Sequence, residues 1–279
     1  EFLLAELLYK FDKYESASRH YTAVANRDAK GKYFSQAAFN AVSAITELVK
    51  STTFEKVPPA GQVPTAIPVP KEKLLLVNVS DDYVTKLPTE EIGFAMRFSS
   101  AQVYFDYGHY EEAMKRFEKI ISEIPETKQA QAAVRIILGY HAERKDWAAL
   151  VTAAKAFAGR KELMAVGLGE HMTDMLRLSI FKKAMIDEKN KNYDLAAAGF
   201  MEYQRQFTKD KDADKALYNA SLNYYRLGNV PDALAGAKLM LEQYPKSELA
   251  LEVLVSIAQT HESLAEFDKA ANYYNAFAI

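Results

Sequence analysis

The sequence predicts an all-α chain, a right-handed α-α superhelix of about seven helix pairs with one proline-rich insertion. Three observations predict it. A pattern of small residues and aromatics recurs at 37-residue spacing. Glycine or polar turn residues separate the helices within a unit, and proline closes several units. The 279 residues, 49% hydrophobic and 26% charged, are enough to bury the cores such a solenoid needs.

The clearest unit runs from Phe98 to Phe117 and closes at Pro125. Ala101 is small where two helices must touch, and Tyr104 follows three residues later. Gly108 ends the first helix and Tyr110 opens the second. Ala113 is the small contact residue of the second helix, and Phe117 and Ile120 are candidates for the core between units. Small residues let antiparallel helices approach closely, and flanking aromatics fill the space left beside them. Position by position this unit resembles the tetratricopeptide repeat, which implies a helix pair, with helix A and helix B stacked on those of the next unit.

Ala113 is followed by Leu150, and Ala196 by Ala233 and Ala270, each step being 37 residues. Leu150 to Ala196 is nine residues longer, which predicts a break or bend between Gly159 and Met172. The N-terminal side gives Ala5, Tyr14, Ala17 and Tyr21 as one unit. A helix follows over about Lys32 to Val49 around Ala38, with its partner over about Lys71 to Lys86 around Tyr83. Between those two lies Ser51 to Pro70, with five of the nine prolines, read as an extended insertion. Val63 to Pro70 is apolar and extended, and packing on the chain itself is favoured over docking on a partner. The expected organisation is 1–27, 28–88 with the insertion at 51–70, 89–125, 126–172 including an irregular linker, 173–209, 210–245 and 246–279.

No constellation for catalysis is visible. With no cysteine there is no disulfide, thiolate metal site or cysteine nucleophile. The five histidines, His20, His109, His141, His171 and His261, show no i, i+4 metal spacing, and His141 and His261 share the repeat position of Tyr104, which reads as half-buried packing. Phosphate-binding glycine motifs are absent, and Gly167-Leu168-Gly169 reads as a helix break. The acid pairs Asp81-Asp82, Glu90-Glu91 and Glu111-Glu112 are expected at helix starts, where they favour the helix dipole. Lys209 to Lys215 reads as a solvated, mixed-charge turn. Net charge −2 lacks the basic footprint of nucleic-acid binding, and no apolar run reaches membrane-spanning length. No catalytic residue, cofactor or metal is therefore expected.

The tetratricopeptide resemblance implies a concave face lined by the A helices. Its register nominates Phe98, Gln102 and Phe105, then Arg135, then Phe181, Lys182 and Met185, then Lys215, Tyr218, Asn219 and Arg226. Asn219 falls where related peptide-binding repeats hold a ligand backbone. Repeats that grip a C-terminal carboxylate carry a wider Lys/Asn set, of which only Asn219 is matched. Tyr244-Pro245-Lys246-Ser247, handing over to an alanine-rich helix, resembles bacterial cell-envelope tetratricopeptide proteins. Ala37 to Ile45, the insertion, Asp82-Tyr83 and Gln102 to Tyr107 look like the repeat proteins of gliding-motility machinery.

These resemblances imply a scaffold for protein or peptide partners in a periplasmic complex, with the cytoplasm as the other compartment. The alternative is a helical accessory domain of an enzyme whose catalytic part lies elsewhere. Asn272 to Ile279 and Glu1 to Tyr9 lack polar capping helices, so further repeats or another chain are expected at the ends.

Overall fold

The computed structural model describes residues 1–55, 57–59, 62 and 65–278, apart from the side chains of Ala165 and Val166. Val63 and Pro64 of the predicted extended stretch, and the terminal Ile279, lie outside the described residues. Those described are all-helical with irregular connections. In order they form α1 (Phe2–Lys10), α2 (Tyr14–Arg27), α3 (Phe34–Ser51), α4 (Lys71–Lys86), α5 (Glu91–Asp106), α6 (Tyr110–Glu123), α7 (Lys128–Glu143) and α8 (Trp147–Ala158). A single turn, α9 (Lys161–Leu163), and a π-helical turn (Met164–Leu168) follow. Then come α10 (Gly169–Lys189), α11 (Tyr193–Gln206), α12 (Ala213–Arg226), α13 (Val230–Gln243), α14 (Ala250–Ser263) and α15 (Phe267–Ala278). The helices pack in consecutive pairs, the all-α solenoid arrangement that the repeat spacing predicts.

The 37-residue spacing has a local physical basis. Six helices end on one residue in the left-handed conformation: Asp12, Gly108, Lys145, Lys191, Gly228 and Ala265, with φ between 57° and 77°. The next residue's N–H then reaches the carbonyl five positions back, as from His109 to Tyr104 (2.9 Å), Asp146 to His141 (3.0 Å) and Glu266 to His261 (2.9 Å). That six-to-one bond satisfies a carbonyl the helix end would leave unpaired and turns the chain sharply into the next helix. Only Gly108 and Gly228 fill this position with a residue free of steric penalty.

The chain divides into two compact units. The first comprises Glu1–Tyr140 and Lys161–Leu168, the second His141–Arg160 and Gly169–Ile279. In the first, Ala5, Ala17, Ala37, Ala38 and Ala41 are buried with Tyr21 and Tyr83, so that α1 to α4 meet over small contact residues. Phe117 is fully buried, and Phe98 and Phe105 lie on its ring at 5.6 and 6.1 Å. The insertion touches its own chain: the Ile67 N–H donates to the Tyr107 carbonyl (3.0 Å), and His109 Nε2 lies 2.9 Å from the Ile67 carbonyl.

In the second unit α8 packs on α10, α10 on α11, and α11 through α15 follow in sequence. Phe200 and Tyr203 of α11 are buried beside Ala184, Ala196, Ala216 and Ala220. Gly199 lets α11 approach α10 so closely that a Cβ there would sit 3.0 Å from the Ala184 Cβ. Between α8 and α10, where the sequence predicts a break, Gly159 caps α8 and Gly167 adopts φ +83° in the π-helical turn.

Three local expectations are corrected. Asp81 and Asp82 lie late in α4 rather than at a helix start. There Asp82 pairs with Lys86 one turn on, and Asp81 receives Arg116 of α6 at 2.9 Å, so the pair serves side-chain bridges instead of the dipole. His261 is buried (3% exposed), not half-buried. Its Nδ1 lies 2.6 Å from Glu266, across the turn from α14 to α15, and its ring stacks on Tyr273. The run Lys209 to Lys215 is not simply solvated, because Asp210 anchors a network with Tyr203 and Arg177.

Candidate partner-binding grooves

Each unit has a gap between two successive A helices, floored by the B helix between them. In the first unit α3 and α5 flank such a gap above α4, and it encloses about 420 Å³. Its wall on α3 is Phe39, Val42, Ser43 and Thr46, with Glu47 and Lys50 at the rim. Its floor is Leu76, Val77 and Ser80, and its wall on α5 is Ile92, Ala95, Met96, Ser99, Ser100 and Val103. The α5 positions fall at i, i+3, i+4, i+7, i+8 and i+11, one continuous helix face. The lining is apolar or small, and Ile92 and Phe39 remain 46% and 38% exposed. Such a surface can accept an apolar side chain, with rim hydroxyls able to orient a backbone.

The second unit repeats the arrangement. A gap of about 160 Å³ lies among α12, α13 and α14, lined by Tyr218, Ser221, Leu222, Tyr225, Val253, Ser256 and Ile257 among others. Ser221 donates to the Ala233 carbonyl of α13, joining the A helix to the floor. The Tyr218 hydroxyl donates to Glu252 of α14, and burial together with that carboxylate raises the phenol to about 12.

The nominated residues distribute unevenly about these gaps. Tyr218 lines the second. Lys215 is exposed on the same helix and pairs with Asp212 at 2.8 Å. Asn219 is half-buried beside it, its carbonyl accepting from Asn223 Nδ2 (2.7 Å). Arg226 pairs with Glu188 of α10 and lies 5.5 Å from the Tyr193 ring centroid. On α10, Met185 is 42% exposed and Lys182 half-exposed, whereas the Phe181 ring packs against Phe200 and Tyr203 at 5.4 and 5.0 Å. Arg135 is exposed on α7.

On α5 the groove face lies beside the residues the register nominates. Gln102 is exposed but outside the lining, and Phe98 packs on Phe117. Phe105 is corrected outright, since it is 7% exposed with its ring against Tyr110, Phe117 and Tyr140. Phe98, Ala101 and Phe105 form one stripe at i, i+3 and i+7, and its aromatics gain more from the α6 core than from a solvent-facing groove. The residues that do line the groove, Ile92, Ala95, Met96, Ser99 and Val103, were not nominated. Their signal was present as a second apolar stripe on α5, which a one-faced helix does not need.

A second feature missed at the sequence level is polar. A cleft of about 520 Å³ between α4 and α6 is lined by Asp81, Arg97, Glu112, Lys115, Arg116 and Lys119 among others. Arg116 bridges Asp81 and Glu112 and stands 4.9 Å from the Tyr104 ring centroid, while Arg97 pairs with Glu123. These pairings engage both guanidinium groups within the protein, although Arg97 Nε is buried without a hydrogen-bond partner. Among the described residues no group of three or more histidines or acids is placed to hold a metal ion, and no helix is long and apolar enough to cross a membrane.

Residues 215–247, which cover α12 from Lys215 onward, α13 and the turn after them, match the tetratricopeptide repeat family model. That match covers one helix pair, and the pairing of α12 with α13 agrees with it. No curated protein matches it. Among solved structures it is similar to a tetratricopeptide repeat protein from Parabacteroides merdae, at 13% identity and TM-score 0.34 over 98% of this chain and 89% of that one. It is also similar to the C-terminal part of a repeat-containing protein from Cytophaga hutchinsonii, at 11% identity and TM-score 0.32 over 99% and 94%. The apo form of RapI gives 13% identity and TM-score 0.32 over 99% and 85%. Likenesses of this size carry no functional argument here.

Proposed function

We propose that this protein is a protein–protein interaction scaffold that holds partner proteins or peptides in the grooves between its A helices. The observation that carries the reading is the groove between α3 and α5, an apolar gap of about 420 Å³ that the helix pairing does not fill. The nominated residues Gln102, Arg135, Lys182, Met185, Lys215, Tyr218, Asn219 and Arg226 extend the proposed contact surface along the A helices, each unit contributing its own. The repeat architecture supports protein or peptide partners, and the net charge of −2 lacks the basic footprint of nucleic-acid binding. The proposed setting is the bacterial cell envelope, in an assembly or gliding-motility complex on the periplasmic side. The Tyr244-Pro245-Lys246-Ser247 hand-over and the proline insertion support that setting through resemblance alone.

Photo-crosslinking tests the groove directly. A crosslinking residue at Ser43 or Ser99, inside the groove, is compared in envelope extract with one at the exposed Glu118 of α6. The partner captured from the groove is then purified and its affinity measured for Ala95→Trp, which fills the gap. The expected result is capture from the groove positions only and roughly tenfold weaker binding to the filled variant. Equal capture from Glu118, or unchanged affinity for Ala95→Trp, overturns the assignment. Recovery of the native protein in the cytosolic fraction overturns the envelope setting.

A further inference from the structure

The proline insertion is an interruption of an otherwise regular repeat, and its contacts are unusually definite. Thr52 caps α3 and Pro70 caps α4, so the segment begins and ends at the same end of this helix layer. Between those points it reaches the turn from α5 to α6. Ile67 is held there through both backbone groups: its N–H donates to the Tyr107 carbonyl (3.0 Å), and its carbonyl lies 2.9 Å from His109 Nε2. A carbonyl only accepts, so His109 Nε2 is the donor. A third contact lies beside these. The Lys73 ammonium, in the first turn of α4, stands 4.9 Å from the Phe54 ring centroid and 4.8 Å from that of Tyr107. Phe54 belongs to the start of the insertion and Tyr107 to the end of α5. One cation therefore ties the exit of α3, the start of α4 and the end of α5.

These contacts matter because α3 and α5 flank the groove described above. Each packs on α4. The groove lining reaches Lys50 in the last turn of α3 and Val103 in the last turn of α5, at the end where the insertion is pinned. We propose that residues 65–70 of the insertion form an intramolecular strap from the start of α4 to the turn after α5, which sets how α5 leans on α4 and hence the width of the groove, with Ile67 as its latch. Released from the latch, the second and third helix pairs keep the α4–α5 packing, the Arg116–Asp81 bridge and the Lys73 contacts but lose the tie at this end of the groove, which then samples a wider range of openings. The inference concerns the conformation of the free chain and stands whether or not the groove receives a partner.

The absence of native cysteine makes the test clean. Ser43→Cys and Ser99→Cys place one label on each wall of the groove, and pulsed dipolar spectroscopy reads the distribution of distances between them. His109→Ala removes the donor to Ile67, and His109→Gln restores a side-chain N–H at similar reach. With the strap latched the distribution is narrow. His109→Ala is expected to raise hydrogen exchange at the Ile67 amide roughly tenfold and to broaden the distribution roughly twofold. His109→Gln is expected to do neither. Ile67→Pro deletes the donated N–H while leaving His109 in place, and is expected to broaden the distribution in the same way, so the test survives misfolding of the histidine variant. Unchanged exchange at Ile67 in His109→Ala overturns the latch. Raised exchange with an unchanged distance distribution overturns the strap.

Discussion

Asp210→Asn tests the network that ties α10, α11 and the start of α12 together. Both oxygens of Asp210 are filled. Oδ1 accepts the Tyr203 hydroxyl (2.5 Å) and the Asp212 N–H (3.0 Å), and Oδ2 accepts Arg177 (2.8 Å). The aspartate side chain is 15% exposed. Asparagine keeps the shape but replaces one acceptor by a donor. With the amide nitrogen toward Arg177, two donors face each other; with the nitrogen in the other position, it opposes the Asp212 N–H. Either orientation loses one charge-assisted hydrogen bond, about 1.5–3 kcal/mol. Arg177 retains Asp174 at 3.1 Å, which limits the penalty for leaving it unpaired, so the expected loss is about 2 kcal/mol at pH 7.

The pH dependence has a definite sign. Burial pushes the Asp210 carboxyl up, but the Tyr203 hydroxyl, the Asp212 N–H and Arg177 together hold it below its ordinary value. A depressed carboxylate contributes stability that is full above its unfolded value, about 3.9, and is lost as pH falls through the folded value. The difference between wild type and Asp210→Asn is therefore expected to be greatest near neutrality and to shrink below about pH 4. The assay is urea denaturation followed by circular dichroism, with hydrogen exchange at Tyr203 and Ala213 to read the local unit, since stacked repeats unfold in parts. A loss below about 0.5 kcal/mol at pH 7, or one independent of pH, refutes the reasoning.

Three further outcomes are expected. Ala265 holds φ 59° without a side chain that can hydrogen-bond locally, so Ala265→Gly should stabilise the last helix pair by about 0.5–1 kcal/mol, read as slower amide exchange in α14 and α15. Gly199→Ala and Gly236→Ala should differ in sign in thermal unfolding. A Cβ at 199 meets the Ala184 Cβ at 3.0 Å and costs about 1–3 kcal/mol, whereas one at 236 meets Ser221 at an ordinary 3.5 Å and gains about 1 kcal/mol of helix propensity. Ser247→Ala should cost about 1 kcal/mol by denaturation, because the Ser247 hydroxyl accepts the Leu249 N–H at the start of α14 and donates to Asp214 at 2.6 Å.

The repeat itself was legible because its determinants are local. Ala101 and Ala113, Ala196 and Ala233 announce close helix contacts by their size, and all are buried. Gly108 and Gly228 announce the left-handed turn, whereas Lys145, Lys191 and Ala265 hide the same turn behind residues with no glycine signature. Helix existence and spacing follow from near neighbours in the chain. The face that each helix presents does not. Phe98, Phe105 and Phe181 were read as groove residues from a repeat register, yet their rings meet aromatics on the partner helix, Phe117 for the first two and Phe200 for the third.

The sequence by itself determined an all-α chain of helix pairs, the place of the irregularity before α10, and the interruption between α3 and α4. These depend on residue size, backbone freedom and periodicity, which act over a few residues. Tertiary structure alone decided which face of α5 stays open and where Ile67 docks. It also decided that Asp210, within a mixed-charge run, becomes a half-buried anchor for Arg177, 33 residues away. Each of those outcomes joins groups more than 30 residues apart or selects between two apolar faces of one helix. The selection is made by the partner surface that buries more area, which is set only when the helices pack.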